Sequence, residues 1–259
     1  ENQSSLLSAA KFDQNYNSQY SYIAKVGYPM GMMYGFIYEG TYKYEDFDKV
    51  GDTYTLKRNV PYFSSESNTQ PGMPKYADLN GDGIIDDNDR TMIGNGMPKH
   101  TGGFTNNFEY KGFDLSIFFQ WSYGNDVLNA NRLFFENSNQ YASYADRWTT
   151  ENPESNIPRA TDSGSNKVFS TRIIEDGSFL RLKTVSLGYT LPKQLTKKWK
   201  IDNARVFVAG QNLWTCTGYS GYDPEVSIRE GALTPGLDFS AYPRAYSISF
   251  GINFKQLRI

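Results

Sequence analysis

The sequence predicts an all-β chain, a run of antiparallel strands from a transmembrane β-barrel, on three observations. Mean hydropathy is −0.60, yet aromatic residues make up 16% of the 259 residues. Several segments alternate apolar and polar residues, which is typical of strands with two different faces. Short and long connections also alternate along the chain. A barrel accounts for low mean hydropathy together with many aromatic residues, because only every second strand residue faces lipid and aromatic girdles flank the apolar band.

The predicted strands share this period of two. The segment from Phe113 to Tyr123 has the longest apolar face: every odd position is apolar, and Phe118 is the one apolar residue on the opposite face. Runs of about 9–12 residues match the length that a tilted strand needs to cross hydrocarbon. The six strands that the alternation predicts are 34–42, 104–110, 113–123, 178–191, 203–215 and 246–254.

The turn at Lys111-Gly112 provides an internal check on this interpretation. A two-residue hairpin loop would make Tyr110 and Phe113 direct cross-strand neighbours. Both residues belong to the apolar faces of their strands, as a single register requires.

The connections predict the orientation of the strands. Short connections at 111–112 and 191–202 alternate with long ones at 43–103, 124–177 and 218–243. Bacterial barrels have short periplasmic turns and long extracellular loops. This alternation therefore predicts long extracellular loops and a periplasmic C-terminus.

The number of strands is too small for a closed barrel, since barrels of this type begin at about 8 strands. An open edge in lipid would leave backbone groups unpaired at several kcal/mol each. Either 132–142 and 166–175 are strands as well, or the chain belongs to a larger barrel. The long loops and the abrupt start favour the second alternative, in which residues 1–259 are the C-terminal part of a barrel domain.

Other classes of protein are disfavoured by composition. No segment approaches the roughly 18 apolar residues of a membrane-spanning helix. The formal net charge is −2 and the basic residues are dispersed, so we expect no nucleic-acid partner. His100 is the only histidine, and its neighbours Lys99 and Thr101 indicate a loop entering a strand, so we predict no catalytic residue.

The segment 76–92 contains a calcium-type loop. It fits D-x-[DN]-x-[DN]-G with an acid at the twelfth position, where Asp89 replaces the usual Glu and Gly83 allows the sharp turn. Carboxylates this close together repel unless a cation lies between them. We therefore predict a structural Ca²⁺ that braces an extracellular loop, although an Asp/Asn/Gly-rich turn without an ion is the other interpretation. The predicted ligands, all through oxygen, are Asp78, Asn80, Asp82, the carbonyl of Ile84, Asp86 and Asp89.

Taken in order, the motifs of this chain resemble the C-terminal part of SusC/RagA-type TonB-dependent transporters of the Bacteroidetes. The resemblance covers nearly the whole chain, and each stretch alone would be weak. The matching stretches are Gly27–Gly31, Tyr34–Phe36, Tyr76–Asp89 with Arg90, Ile93 and Gly94, Lys111–Asp126, Arg147–Trp148, Ser178–Tyr189, Gly210–Leu213 and Gly221–Glu225.

This resemblance implies a barrel of about 22 strands in the outer membrane of a Gram-negative bacterium. It also implies several partners: membrane lipid, an N-terminal barrel part and plug of the same transporter, the TonB complex acting through that plug, and a SusD-like surface lipoprotein. The implied function is import of glycans or peptides, without catalysis. No substrate-binding residue can be assigned. Loop aromatics such as Tyr144, Trp148 and Tyr222 could stack on sugars, but a role in the aromatic girdle or in loop packing is favoured for them. The alternative is a secreted, calcium-stabilised β-sandwich that binds or cleaves glycans.

Overall fold

The computed structural model describes residues 6–10, 21–135, 141–160, 168–199, 201–227 and 231–256. The chain divides into two compact units. The first unit comprises Glu1–Met97, Asp126–Glu175 and Glu225–Ala241, and the second comprises Pro98–Asn125, Asp176–Pro224 and Tyr242–Ile259.

The described residues are mainly strands, most of them paired antiparallel, with few and short helices. In that part of the chain, no helix is long and apolar enough to cross a membrane. The strands are β1 (Leu6–Ala10), β2 (Tyr22–Lys25), β3 (Met32–Gly35), β4 (Tyr38–Thr41), β5 (Phe47–Val50), β6 (Thr53–Leu56), β7 (Tyr62–Phe63), β8 (Pro74–Tyr76), β9 (Ile84–Ile85), β10 (Thr91–Asn95), β11 (His100–Tyr110), β12 (Phe113–Tyr123), β13 (Asp126–Asn129), β14 (Ile174–Asp176), β15 (Phe179–Thr190), β16 (Ile201–Thr217), β17 (Leu237–Asp238) and β18 (Ser247–Gln256). The helices are α1 (Ala130–Phe135), α2 (Lys193–Thr196) and the 3₁₀ turns Tyr44–Asp46, Glu66–Asn68, Asp87–Asp89, Ala142–Asp146, Thr171–Ile173 and Lys197–Trp199.

The second unit is a five-stranded antiparallel sheet in the order β11-β12-β15-β16-β18. Its strands follow one another in sequence order, so successive connections lie at opposite ends of the sheet. The connections of 2 and 10 residues, at 111–112 and 191–200, are therefore at one end, and the longer ones at 124–178 and 218–246 are at the other. This confirms five of the predicted strands and the alternation of their connections.

Side chains divide the second unit's sheet into two different faces because the strand period is two. The registers align the apolar positions of all five strands, such as Phe108, Leu115, Leu187, Val208 and Phe250. We call this side the apolar face. Its side chains are largely exposed, with Phe250 at 82% and Phe254 at 71%. The opposite side, the polar face, aligns Asn107, Ser116, Ser186, Ala209 and Ser249.

The β11–β12 hairpin has the turn that the sequence predicts. Lys111 and Gly112 have φ angles of 48° and 85°, and positive φ at both central residues is typical of a type I′ turn, whose twist matches that of the strands. Tyr110 and Phe113 are paired, which confirms the predicted register.

The first unit is built differently, from short strands packed around hydrophobic cores. One four-stranded sheet has the order β1-β2-β3-β10, and β14-β13-β17 form a smaller one. Among the described residues, all three clusters of buried hydrophobic side chains belong to this unit. They centre on Tyr22 and Leu128, on Phe36 and Tyr76, and on Tyr42.

The prediction of one strand at 34–42 is wrong, because this segment contains two short strands of the first unit, β3 and β4. Phe36 lies between them in an isolated bridge to Ser170, and its backbone N–H donates to Phe169 O at 2.9 Å. Short packed strands show the same period-two alternation as a long strand, so the pattern alone could not separate the two.

The two candidate strands also differ from the structure. Residues 132–135 belong to α1, and 174–175 belong to the short strand β14. Residues 136–140 and 166–167 of those candidates lie outside the described residues.

Gly112→Ala should destabilise the hairpin by about 1–3 kcal/mol, since a non-glycine residue at positive φ is strained. The new Cβ would also lie 2.9 Å from Thr190 O. The urea midpoint of the purified full-length protein measures this loss. Gly218→Ala is the control, because its φ is ordinary and no atom lies within 4 Å of the position that the new methyl group would take. Equal shifts in both variants would contradict the turn assignment.

Candidate functional site

The acidic loop after β8 is organised by hydrogen bonds from its own backbone. Gly81 N–H donates to Asp78 Oδ1 at 2.7 Å, and Gly83 N–H donates to Asp78 Oδ2 at 2.8 Å. Asp82 Oδ1 accepts from Ile84 N at 2.8 Å. Gly81 and Gly83 have φ angles of 77° and 84°, which glycine adopts without a steric penalty.

Asp89 closes this loop from its far end. Its side chain is fully buried, and Oδ1 accepts from the N–H groups of Leu79 and Asn80 at 2.8 and 3.3 Å. Oδ2 accepts from Asp86 N at 2.8 Å, while Asp86 Oδ1 accepts from Asn88 N at 2.7 Å. The twelfth residue of the motif therefore holds both ends of the loop together.

The predicted calcium ligands share one loop, and they offer only oxygen atoms, the donors that calcium prefers. However, no group of three or more His, Cys, Asp or Glu side chains is arranged to hold a metal in the part of the chain that is described. The carboxylates of Asp78, Asp82 and Asp89 instead accept backbone N–H groups. A carboxylate oxygen that accepts one hydrogen bond keeps a second lone pair. This holds for both oxygens of Asp78, whereas Asp89 Oδ1 already accepts two N–H groups. The donor atoms are therefore of the right kind for the ion, but among the described residues they do not form a ligand cluster.

Arg90 follows the loop and packs against aromatic rings. Its guanidinium lies 4.8 Å from the Tyr34 ring centroid and 4.0 Å from Asp87 Oδ1. Removal from water lowers the pKa of Arg90, while the charges of Asp87 and Tyr34 act in the opposite direction.

An ion pair joins non-adjacent strands on the polar face of the second unit. Arg205 on β16 reaches across Gly188 on β15 to Asp114 on β12, donating from Nε to Oδ1 at 2.8 Å and from a terminal nitrogen to Oδ2. A Cβ at position 188 would collide with the guanidinium. Glycine at this position therefore permits the bridge.

A second ion pair is buried. Arg181 on β15 is 2% exposed and donates to Asp223 Oδ1 at 2.6 Å and, through Nε, to Thr215 Oγ1 at 3.0 Å. Arg244 Nε lies 3.7 Å from the other Asp223 oxygen. Asp223 belongs to the connection between β16 and β18, so this pair fastens a long connection to the sheet.

The segments around both members of this pair belong to the sequence motifs, but no sequence pattern connects them. Ser178–Tyr189 and Gly221–Glu225 are two of the motifs, and the structure brings their charged residues together. His100, by contrast, is part of the sheet: its Nδ1 accepts from Trp121 Nε1 at 3.1 Å, and its ring stacks on Tyr123.

These features define a mainly β chain whose long antiparallel sheet has one apolar and one polar face. No family model matches the chain. It is 35% identical over 240 residues to TonB-dependent receptor P3 of Formosa agariphila, an alignment that covers 90% of this chain and 23% of that protein. It is 27% identical over 194 residues to TonB-dependent receptor SusC of Bacteroides thetaiotaomicron, covering 73% of this chain and 18% of SusC.

A solved structure of the RagAB peptide transporter matches with a TM-score of 0.64 and 25% identity, over 90% of this chain and 23% of that chain. The chain is therefore homologous to TonB-dependent receptors of the SusC/RagA type, which confirms the resemblance drawn from its motifs. It spans about a quarter or less of the length of the curated relatives it matches.

Asp223→Ala should destabilise the protein by about 3–5 kcal/mol, because it leaves the Arg181 charge buried without its carboxylate. The joint change Arg181→Met with Asp223→Leu should recover most of that loss. Urea unfolding of the full-length protein measures stability, and limited proteolysis of 218–227 and 231–246 reports on the connection.

Asp202→Ala is the matched control, because Asp202 and Lys255 form an exposed pair at 4.0 Å, whose contribution should be about 0–1 kcal/mol. Equal losses for Asp223→Ala and Asp202→Ala would show that burial does not set the strength of the pair.

Proposed function

We propose that this chain forms part of the barrel wall and the extracellular loops of an outer-membrane, TonB-dependent importer of glycans or peptides. The observation that supports this most strongly is the continuous, exposed apolar face of the five-stranded sheet. TonB-dependent receptors are transport proteins and not enzymes, so the role of the chain is in passage of a nutrient and not in bond chemistry.

Lipid is the environment that suits the apolar face. Aliphatic and aromatic side chains on all five strands form one surface. The strands have 10 to 17 residues, which is long enough to cross the hydrocarbon, since a tilted strand needs roughly 9–11 residues. The polar face, with its half-buried Arg205–Asp114 pair, would line the water-filled interior of the barrel.

The edges of the sheet require further strands. In the part of the chain that the structure describes, β11 and β18 each have one neighbour in the sheet, and an unpaired edge in lipid costs several kcal/mol per backbone group. We propose that an N-terminal barrel part of the same transporter pairs with these edges, giving a barrel of about 22 strands. This chain would then be the C-terminal part of that barrel.

The orientation follows from the connections. The turns at 111–112 and 191–200 would be periplasmic, the connections at 124–178 and 218–246 would be extracellular, and the C-terminus would be periplasmic. A plug in the same transporter would contact the TonB complex, and a SusD-like surface lipoprotein would cover the extracellular side. The match to a RagAB complex supports such a two-protein assembly.

The alternative, a secreted β-sandwich, is less well supported. A sandwich buries the apolar face of each sheet against the other, whereas Phe250, Ile252 and Phe254 are between 68% and 82% exposed. The homology to TonB-dependent receptors also favours the transporter.

The assignment of the two faces can be tested with one substitution on each. Phe250→Arg should lower assembly into the outer membrane, because arginine near the bilayer midplane costs about 2–4 kcal/mol. Ser249→Arg, one residue away on the polar face, should assemble normally. The measurement is the heat-modifiable folded band in outer-membrane fractions of cells that express the full-length protein.

Equal assembly of the two arginine variants would contradict the proposed faces. Full-length protein that is monomeric and soluble without detergent would overturn the barrel itself and favour the sandwich.

We also propose that the 76–92 loop binds Ca²⁺ as a structural brace. The proposed ligands are those predicted from the motif, and Asp78, Asn80 and Asp82 are the side chains nearest its two positive-φ glycines in sequence. Five aspartates within twelve residues raise a local negative potential that a divalent cation would neutralise. Binding would require the carboxylates of this loop to reorient toward the ion. The buried Asp89 carboxylate would also have to release N–H groups that it accepts here.

Calcium should protect the 76–92 loop from proteolysis, and Asp78→Ala with Asp82→Ala should abolish that protection. Protease digestion of the full-length protein in Ca²⁺ or in a chelator, followed by mass mapping, measures the effect. Asp48→Ala, an exposed acid outside the loop, is the control and should keep the calcium response. Identical digestion of the parent protein with and without Ca²⁺ would overturn the proposal.

A further inference from the structure

A cavity of about 410 Å³ in the first unit has aromatic and polar walls. Its volume is within the range of roughly 300–1,000 Å³ that ligand sites occupy. Three of its wall residues are aromatic: Tyr44 from a 3₁₀ turn, Tyr54 from β6 and Trp148. The ring centroids of Tyr44 and Tyr54 are 5.1 Å apart with a tilt of 39°, and Trp148 lies 5.6 Å from Tyr44.

The aromatic wall is held in place from behind. Trp148 is 6% exposed and packs so closely on Gly72 that a Cβ there would collide with the indole ring. Arg159 lies 5.7 Å from the indole centroid and donates to Gln70 Oε1 at 3.2 Å and Pro71 O at 3.3 Å. Walls held in this way are ordered before a ligand arrives, which lowers the entropic cost of binding.

The remaining wall residues supply hydrogen-bonding groups. The carboxylate of Asp52, the hydroxyls of Thr53 and Thr150 and the amide of Gln70 all border the cavity and are exposed. Within the described part of the chain, neither phenol hydroxyl, of Tyr44 or of Tyr54, makes a hydrogen bond. These groups are therefore available to a ligand rich in hydroxyls.

We propose that this cavity binds a sugar ring of a glycan. A pyranose presents apolar C–H faces, which pack on aromatic rings, and a rim of hydroxyls, which pair with carboxylate, amide and hydroxyl groups. Among the described residues, no Leu, Ile, Val or Met lines the cavity, so these walls offer no aliphatic pocket for the side chains of a peptide. The inference rests on the proposed importer function, since it places a glycan contact on that importer's extracellular side.

Titration calorimetry on the full-length receptor in detergent tests the site, with maltohexaose, cellohexaose, laminarihexaose and a tryptic digest of casein as the probes. At least one hexasaccharide should bind. Asp52→Ala with Gln70→Ala should weaken that binding about tenfold through lost hydrogen bonds. Thr53→Trp should fill the cavity and weaken binding by at least about tenfold.

Thr55→Trp is the matched control, because it makes the same change on the same strand at an exposed threonine that does not border the cavity. It should bind like the parent receptor. Parent-like binding by Thr53→Trp overturns the proposal, as does failure of all three hexasaccharides or binding of casein peptides alone.

Uptake of the bound hexasaccharide by cells with and without the receptor gene separates this inference from the importer function. If the deletion strain loses uptake but the Thr53→Trp receptor binds as tightly as the parent, the cavity proposal is refuted and the importer function stands. If Thr53→Trp weakens binding but the deletion strain still takes up the hexasaccharide, the importer function is refuted and the cavity proposal stands.

Discussion

The exposed apolar face of the five-stranded sheet is the constraint on which the rest of the structure depends. Each strand contributes side chains of the size of Leu, Val or Phe to this surface, and all three buried hydrophobic clusters of the described residues belong to the other unit. Water is a poor solvent for such an area, since each buried methylene is worth about 0.8 kcal/mol. In the proposed barrel, lipid would cover this area without a second layer of protein, and the 17 residues of β16 would be more than enough to cross it.

The first unit also removes apolar side chains from water, but it does so by packing them against one another. Its strands are short, and it buries rings such as Phe36 and Tyr76 inside itself. Its longer connections are held by local polar contacts, of which the buried Asp89 carboxylate is the clearest, because it binds three backbone N–H groups around one loop. Hydrogen bonds of this kind can hold a connection in one conformation without regular secondary structure.

The sequence predicted best what depends on neighbours along the chain. The Lys111-Gly112 turn and the register of β11 against β12 follow from residues close in sequence, and both are confirmed. The segment 34–42 was predicted wrongly, because alternation does not reveal how long a strand continues. The Arg181–Asp223 pair joins residues 42 positions apart, a distance at which no local pattern carries information. The acidic motif predicts which residues share one loop, but the directions of its carboxylates depend on backbone N–H groups that a motif does not specify.

Gly188 has a consequence for how this sheet can change during evolution. The Arg205–Asp114 bridge spans the strand between them, so three positions on three strands are coupled although only two carry charge. Any side chain at position 188 would separate the pair and leave two charges facing each other across an obstacle. Substitutions at the three positions are therefore expected to occur together among related chains, and a lone change at the glycine should be the rarest of them.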